Sequence, residues 1–92
     1  MSTVIEHNTA KQRYEIHVDG VFAGFAKAHE RGDEVLFPHT VVFDEFEGQG
    51  VGGTLVSGAL DDVRSRGKKV IAECEYVSNF ISKHDEYADL RA

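Results

Sequence analysis

Residues 48 to 53 read Gly48-Gln49-Gly50-Val51-Gly52-Gly53 and hold four of the chain's nine glycines. Strand-forming residues (Thr40-Val41-Val42-Phe43) precede this run, and apolar residues at helical spacing follow it (Val51, Leu55, Val56, Ala59, Leu60, Val63). A glycine-rich turn from a strand into a helix exposes unpaired backbone N–H groups at the positive end of the helix dipole. Such a turn suits phosphate or pyrophosphate. The chain has one cysteine, Cys74, so no internal disulfide can form, but a thiol is available for chemistry. His7, His17, His29 and His84 show no metal-ligand spacing, and no metal is expected.

The elements that must position these residues follow from periodicity. Val4 to His7 reads as a short strand. Arg13 to Val18 alternates, with Tyr14, Ile16 and Val18 on one face. Asp19-Gly20 marks a tight hairpin, and Val21 to Ala28 is the return strand. Arg31-Gly32-Asp33 spells an adhesion tripeptide, yet Gly-Asp between two strand patterns is turn chemistry. Glu34 to Phe43 is long enough for two strands, and Pro38, which cannot donate to a ladder, predicts a bend near His39. The helix spans about Gly50 to Ser65, with Ser57, Asp61, Asp62 and Arg64 on its polar side and Gly67 as its stop. Lys69 to Cys74 reads as a further strand, so strand, helix and strand suggest a parallel crossover. A short second helix over Tyr76 to Lys83 completes the pattern. The predicted fold is α+β, one domain over residues 1–92: an N-terminal antiparallel meander, a β-α-β unit and a short C-terminal helix.

Bulk properties narrow the function. Ninety-two residues with 41% hydrophobic and 28% charged content make an ordinary globular chain with a small core. The net charge of −6 and the lack of a basic stripe argue against a nucleic-acid partner. No apolar run is long enough to span a membrane, and the N-terminus lacks the basic and apolar regions of a signal peptide. A cytoplasmic location, without membrane attachment, is the expectation. The small core leaves a monomer or a weak homodimer open.

Three ligand readings compete for the loop. Gly48, Gly50 and Gly53 satisfy G-x-G-x-x-G, with Glu73 where a ribose-binding acid would stand. Against a dinucleotide site, Asp44-Glu45-Phe46-Glu47 separates strand from glycines, and only one α/β unit is present where two are wanted. A P-loop needs Gly-Lys-Ser/Thr, whereas the chain has Gly52-Gly53-Thr54. The third reading is an acyl-CoA loop of the form Gln/Arg-x-x-Gly-x-Gly/Ala. Glu47-Gly48-Gln49-Gly50-Val51-Gly52 fits it except at Glu47, where Gln or Arg is usual. A carboxylate there would repel a pyrophosphate, so Glu47 is expected to turn away and lend only its backbone.

Four segments carry a closer resemblance: His39-Thr40-Val41-Val42, Glu45-Phe46-Glu47-Gly48-Gln49-Gly50, Cys74-Glu75-Tyr76-Val77 and His84-Asp85-Glu86-Tyr87-Ala88-Asp89-Leu90. In this order, over about Leu36 to the C-terminus, the chain resembles small stand-alone members of the GCN5-related N-acetyltransferase superfamily. Two departures from that pattern are Ala72 and Asp85, each standing where proline is common. The resemblance implies an acetyl-CoA-binding enzyme that passes acetyl from the thioester to an amine on a small molecule or a protein. It places the pyrophosphate on Gln49, Gly50, Val51, Gly52 and Gly53, the thioester arm along Val41 and Val42, and Asn79 on the pantetheine.

The same resemblance makes Cys74 a covalent acetyl carrier or a group lining the thioester; the plainer reading is a small buried side chain. His39, beside the implied carbonyl site, is the best general-base candidate, since imidazole is the commonest general base; the plainer reading is a strand histidine with a hydrogen-bonded ring. Glu73 and Glu75, on a strand face opposite Cys74, have the chemistry to deprotonate an amine or attract a cationic acceptor; the plainer and preferred reading is a solvated strand end. The tail residues His84, Glu86 and Tyr87 match the resemblance without a chemical role, and Tyr87 is expected only to pack the short C-terminus. A CoA-binding or protein-interaction module without turnover remains the alternative, and a small dinucleotide-binding domain a weaker one.

Overall fold

The alternating first half of the chain folds as strands because its apolar residues share one face. In a computed structural model, which describes residues 2–92, β1 (Thr3–Asn8), β2 (Arg13–Val18), β3 (Val21–Lys27) and β6 (Thr40–Val42) form an antiparallel sheet in that order. Tyr14, Ile16 and Val18 are buried as the alternation predicts. Asp19 and Gly20 both take positive φ (51° and 83°), the geometry of a two-residue hairpin turn. A second, three-stranded sheet holds β4 (His29–Arg31), β5 (Glu34–Phe37) and β7 (Lys69–Ala72). The helix α1 (Val51–Ser65) lays Leu55, Val56, Ala59, Leu60 and Val63 over the buried faces of both sheets. The helix α2 (Glu75–Lys83) adds Val77 and Ile81 to the same core.

Pro38 divides the Glu34–Phe43 stretch as expected, but its consequence is larger than a bend. The residues before it pair with β4 and β7, and those after it pair with β3 in the other sheet. The expected parallel crossover is present, and its paired strands are β5 and β7, from Glu34–Lys69 to Phe37–Ala72, while β6 lies in the other sheet. Proline has no N–H for a ladder, and the carbonyl of His39 is already taken by the N–H of Lys27 at 2.8 Å. The chain has thus left the β7 side by the time β6 begins. The strand expected over Lys69 to Cys74 ends at Ala72, and Cys74 caps α2. Glu75 accordingly lies in a helix, and the expected shared strand face of Glu73 and Glu75 does not exist.

A charged cluster pins the C-terminal end of α1 to the strands. The Tyr14 hydroxyl donates to Asp62 at 2.6 Å and accepts from Arg66 at 2.9 Å, while the His7 ring stacks on Tyr14 at 4.3 Å. Arg66 and Lys68 both donate to Glu30, at 2.7 and 2.6 Å. Burial and the bond to the Asp62 carboxylate push the Tyr14 phenol well above its ordinary range.

The tail, unassigned from sequence, closes the other flank. The Tyr87 hydroxyl donates to Asp61 at 2.8 Å and meets Ser57 at 2.9 Å, and Arg64 forms a two-pronged pair with Asp89 at 2.9 Å. The N–H of Ala92 donates to Val70, so the chain end runs beside β7. Among the described residues no helix is long and apolar enough to cross a membrane.

The cluster around Glu30 makes a prediction for acid stability. Hydrogen bonds from Arg66, then Lys68, hold the Glu30 carboxyl down from 4.5 to about 2. A depressed carboxyl stabilises the fold above its unfolded value and loses that contribution as pH falls through the folded one. Glu30 therefore contributes fully above about pH 4.5, with the loss complete near pH 2. Its partial exposure screens the effect to about 1 kcal/mol. Urea unfolding of Glu30→Gln should show a lower midpoint than wild type at pH 7 and a near-equal one at pH 2.5; equal midpoints at both would remove the assignment.

Candidate functional site

The parting of β6 from β7 leaves one edge of β6 without a strand partner. Bonds from Lys27 to His39 and from Phe43 to Ala23 flank the Val41–Phe25 pair. By antiparallel alternation the N–H and C=O of Val41 turn toward β3, and those of Thr40 and Val42 turn to the open edge. The gap is bridged at one end only. The N–H of Cys74 donates to the Phe37 carbonyl at 2.7 Å, and its Sγ lies 3.4 Å from the Thr40 hydroxyl.

The glycine run supplies the second component. Gly48 and Gly50 take positive φ (77° and 75°), which only glycine adopts without strain, and Gly50 caps α1. Thr54 returns both its N–H and its hydroxyl to the Gly50 carbonyl at 3.1 Å. Among the described residues, no backbone or side-chain acceptor within the chain takes the N–H groups of Gly48, Gln49, Gly50, Val51, Gly52 and Gly53. Open N–H groups in a row at the N-terminus of a 15-residue helix form a cradle for an anion. The Gln49 amide braces the loop by donating to the Glu45 carbonyl at 3.2 Å.

These two components meet in a cleft of about 680 Å³. Val41, Val42, Gly50, Val51 and Gly52, all named from sequence as candidates, line it. Thr40, Phe46, Gly48 and Tyr76 line it as well. Gly48 belongs to the glycine run read from sequence; Thr40, Phe46 and Tyr76 stand in the segments that carry the resemblance, but their side chains gave no sign of a role. Glu47 departs from its expectation in its backbone: the residue borders the cleft, but its N–H is spent on the Asp44 carbonyl, so it lends no donor to the cradle.

Other predicted residues lie outside the cleft. Gly53 lines an adjoining groove along α1 with Ser57, Asp61 and Tyr87. Asn79 is exposed in a smaller depression with Phe80, Lys83 and His84, because α2 turns that face away from β6. Cys74 is buried behind the cleft wall, and His39 is exposed at the junction of β5 and β6. Glu73 and Glu75 are exposed on either side of Cys74. Among the described residues no group of His, Cys, Asp or Glu is gathered to hold a metal.

The comparisons with known proteins agree with this geometry. The family model of the GCN5-related N-acetyl-transferase matches residues 13–90. A GCN5-like protein of Staphylococcus aureus, solved in solution by NMR, is 25% identical; the alignment covers 97% of this chain and 87% of that one, with a TM-score of 0.74. The ribosomal-protein-S18-alanine N-acetyltransferase of Escherichia coli shares the fold at 18% identity and a TM-score of 0.67, covering 77% of this chain and 49% of that enzyme. The N-acetylglutamate synthase of Neisseria gonorrhoeae, solved with coenzyme A and N-acetyl-glutamate, shares it at 16% identity and a TM-score of 0.62, over 85% of this chain and 22% of that one. No curated protein matches the chain.

Two glycines test the architecture of the cleft. A Cβ at Gly24 would lie 2.4 Å from the Val41 carbonyl oxygen, a backbone atom held in the β3–β6 ladder. Gly24→Ala should therefore lower stability by about 2 kcal/mol, read by denaturant unfolding. A Cβ at Gly52 meets mainly the far end of the Tyr76 side chain, at 2.4 Å. Gly52→Ala should leave stability within about 1 kcal/mol of wild type while shifting the Tyr76 ring resonances. The reverse ranking would contradict the described packing.

Proposed function

Because this chain belongs to the GCN5-related N-acetyltransferase family, we propose that it binds acetyl-CoA in the cleft between β6 and α1 and transfers acetyl to an amine. The observation that carries this reading is the run of open N–H groups from Gly48 to Gly53, joined to the open edge of β6. The pyrophosphate fits the N–H groups of Gln49 to Gly53, where the dipole of α1 and neutral donors offset an acidic chain. The pantetheine arm fits along Thr40 and Val42, whose backbone groups have no strand to bond. At its end a backbone N–H of this edge can polarise the thioester carbonyl.

The transfer that follows is acyl exchange. The amine nitrogen attacks the carbonyl carbon, the C–S bond breaks, and coenzyme A leaves as its thiolate. The amine proton passes to a base. His39, exposed where β5 and β6 part, is the proposed acceptor of that proton. Direct transfer is favoured over an acetyl-cysteine intermediate, because the Cys74 sulfur is buried and faces Thr40. In that arrangement Cys74 ties the two diverging strands together behind the thioester. The acceptor is an amine on a small molecule or a protein, and the protein acts as a monomer or a weak homodimer.

Release of free thiol from acetyl-CoA, followed over a panel of amines, tests the activity. Thiol release with at least one amine supports it. Binding of coenzyme A without turnover on any amine would favour a binding module instead. Gly50→Leu projects a side chain into the mouth of the cleft and strains a left-handed position. It should bind coenzyme A at least tenfold more weakly by calorimetry while remaining folded; retained micromolar affinity would sink the phosphate-loop assignment. Cys74→Ala should keep turnover within about fivefold of wild type, whereas loss of ~10³-fold or more in a folded variant would establish a covalent route.

A further inference from the structure

Tyr76 is the one large aromatic residue left substantially exposed among the described residues, at 46%. It stands in the first turn of α2 and reaches across to the first turn of α1. A Cβ built on Gly52 would lie 2.4 Å from its hydroxyl oxygen and 2.9 Å from the ring carbon that bears it. The hydroxyl therefore rests against the second residue of α1, within the stretch whose N–H groups are open. No hydrogen-bond partner for it exists among the described residues. The other two tyrosine hydroxyls, of Tyr14 and Tyr87, are both bonded to carboxylates.

The electrostatics of the cleft make a neutral donor at this point consequential. No lysine or arginine lines the cleft, and Glu47 does. An anion bound there depends on uncharged donors alone, and each one counts for more than it would beside a cation. The ring also separates the cleft from the depression that holds Asn79 and Lys83, so Tyr76 borders both sides of whatever crosses the α1 N-terminus.

We propose that the Tyr76 hydroxyl donates to the pyrophosphate of the co-substrate and completes the cradle formed by the N–H groups at the start of α1. This inference rests on the acetyl-CoA reading above. Tyr76 is then a positioning residue: it fixes the phosphate end, and through it the register of the thioester arm along β6. The position explains why residue 52 is glycine, since a side chain there would push the hydroxyl off the helix terminus.

Amide-resonance titrations of wild type and Tyr76→Phe with coenzyme A and with pantetheine, which lacks the pyrophosphate, test the assignment. The variant should bind coenzyme A about five- to tenfold more weakly, the loss of one hydrogen bond to a charged group partly replaced by water. Its affinity for pantetheine should be unchanged, and its spectrum should otherwise overlay that of wild type. Unchanged affinity for coenzyme A would overturn the proposal. Equal weakening for both ligands would also overturn it, assigning the ring to packing alone. A wild-type protein that fails to bind coenzyme A would overturn the acetyl-CoA reading itself, and the role of Tyr76 with it.

Discussion

Between Phe37 and Thr40 the chain leaves one sheet and enters another, and the unpaired edge this creates is the constraint on which the site depends. A strand edge without a partner is normally a liability that proteins cover or charge. Here it is retained in the interior angle between β6 and β7, where the Cys74–Thr40 contact limits the gap and α1 forms its floor. An extended ligand with amide groups satisfies that edge as a strand would. In the open cleft the backbone groups of that edge bond water, and a ligand that fills the cleft must replace those bonds. That is a reason for contacts along the whole arm rather than at one end.

The two ends of α1 divide the work. Its C-terminal end is locked: Arg66 bonds Glu30, Asp62 and Tyr14, Arg64 bonds Asp89, and Gly67 stops the helix at a φ of 71°. Its N-terminal end carries no side-chain cap and has glycine at three of the first four positions, counting Gly50. A helix with weak formers at its start and several charged ties at its finish is held from behind, which adds to the bracing of the loop by Gln49 in keeping its open N–H groups directed. The tail strengthens the same arrangement by fixing Tyr87 on Ser57 and Asp61 at mid-helix. Positioning of the anion cradle is therefore in part a property of contacts far along the helix.

Charge works against the ligand at long range and for it at short range. The chain carries −6 overall, with Asp44, Glu45 and Glu47 immediately before the cradle. Oriented N–H groups act over a few ångströms and are little screened by salt when a ligand covers them, whereas the surface carboxylates are hydrated and screened. A site built from dipoles can thus hold an anion on an acidic protein. The same surface lowers the encounter rate with anions and raises it with cations.

The local chemistry of the backbone was legible in the residues. Alternation placed Tyr14, Ile16 and Val18 in the core, Asp19-Gly20 made the hairpin, and glycine spacing located the cradle before a helix whose apolar stripe was plain. These features depend on neighbours within a few residues, so periodicity and turn chemistry suffice. The partner of β7, the place of Asn79 outside the cleft and the placing of Tyr76 over Gly52 were not legible. Each depends on how two separate sheets diverge at Pro38, a non-local outcome of packing α1 into the angle between them. The sequence by itself determined most of the strands, both helices and the glycine-rich turn before α1, because backbone propensity is local, while the three-residue β4 was not read from it. Only the tertiary structure decided which backbone groups stay unpaired and which side chains face them, because that depends on which strands run out of partners.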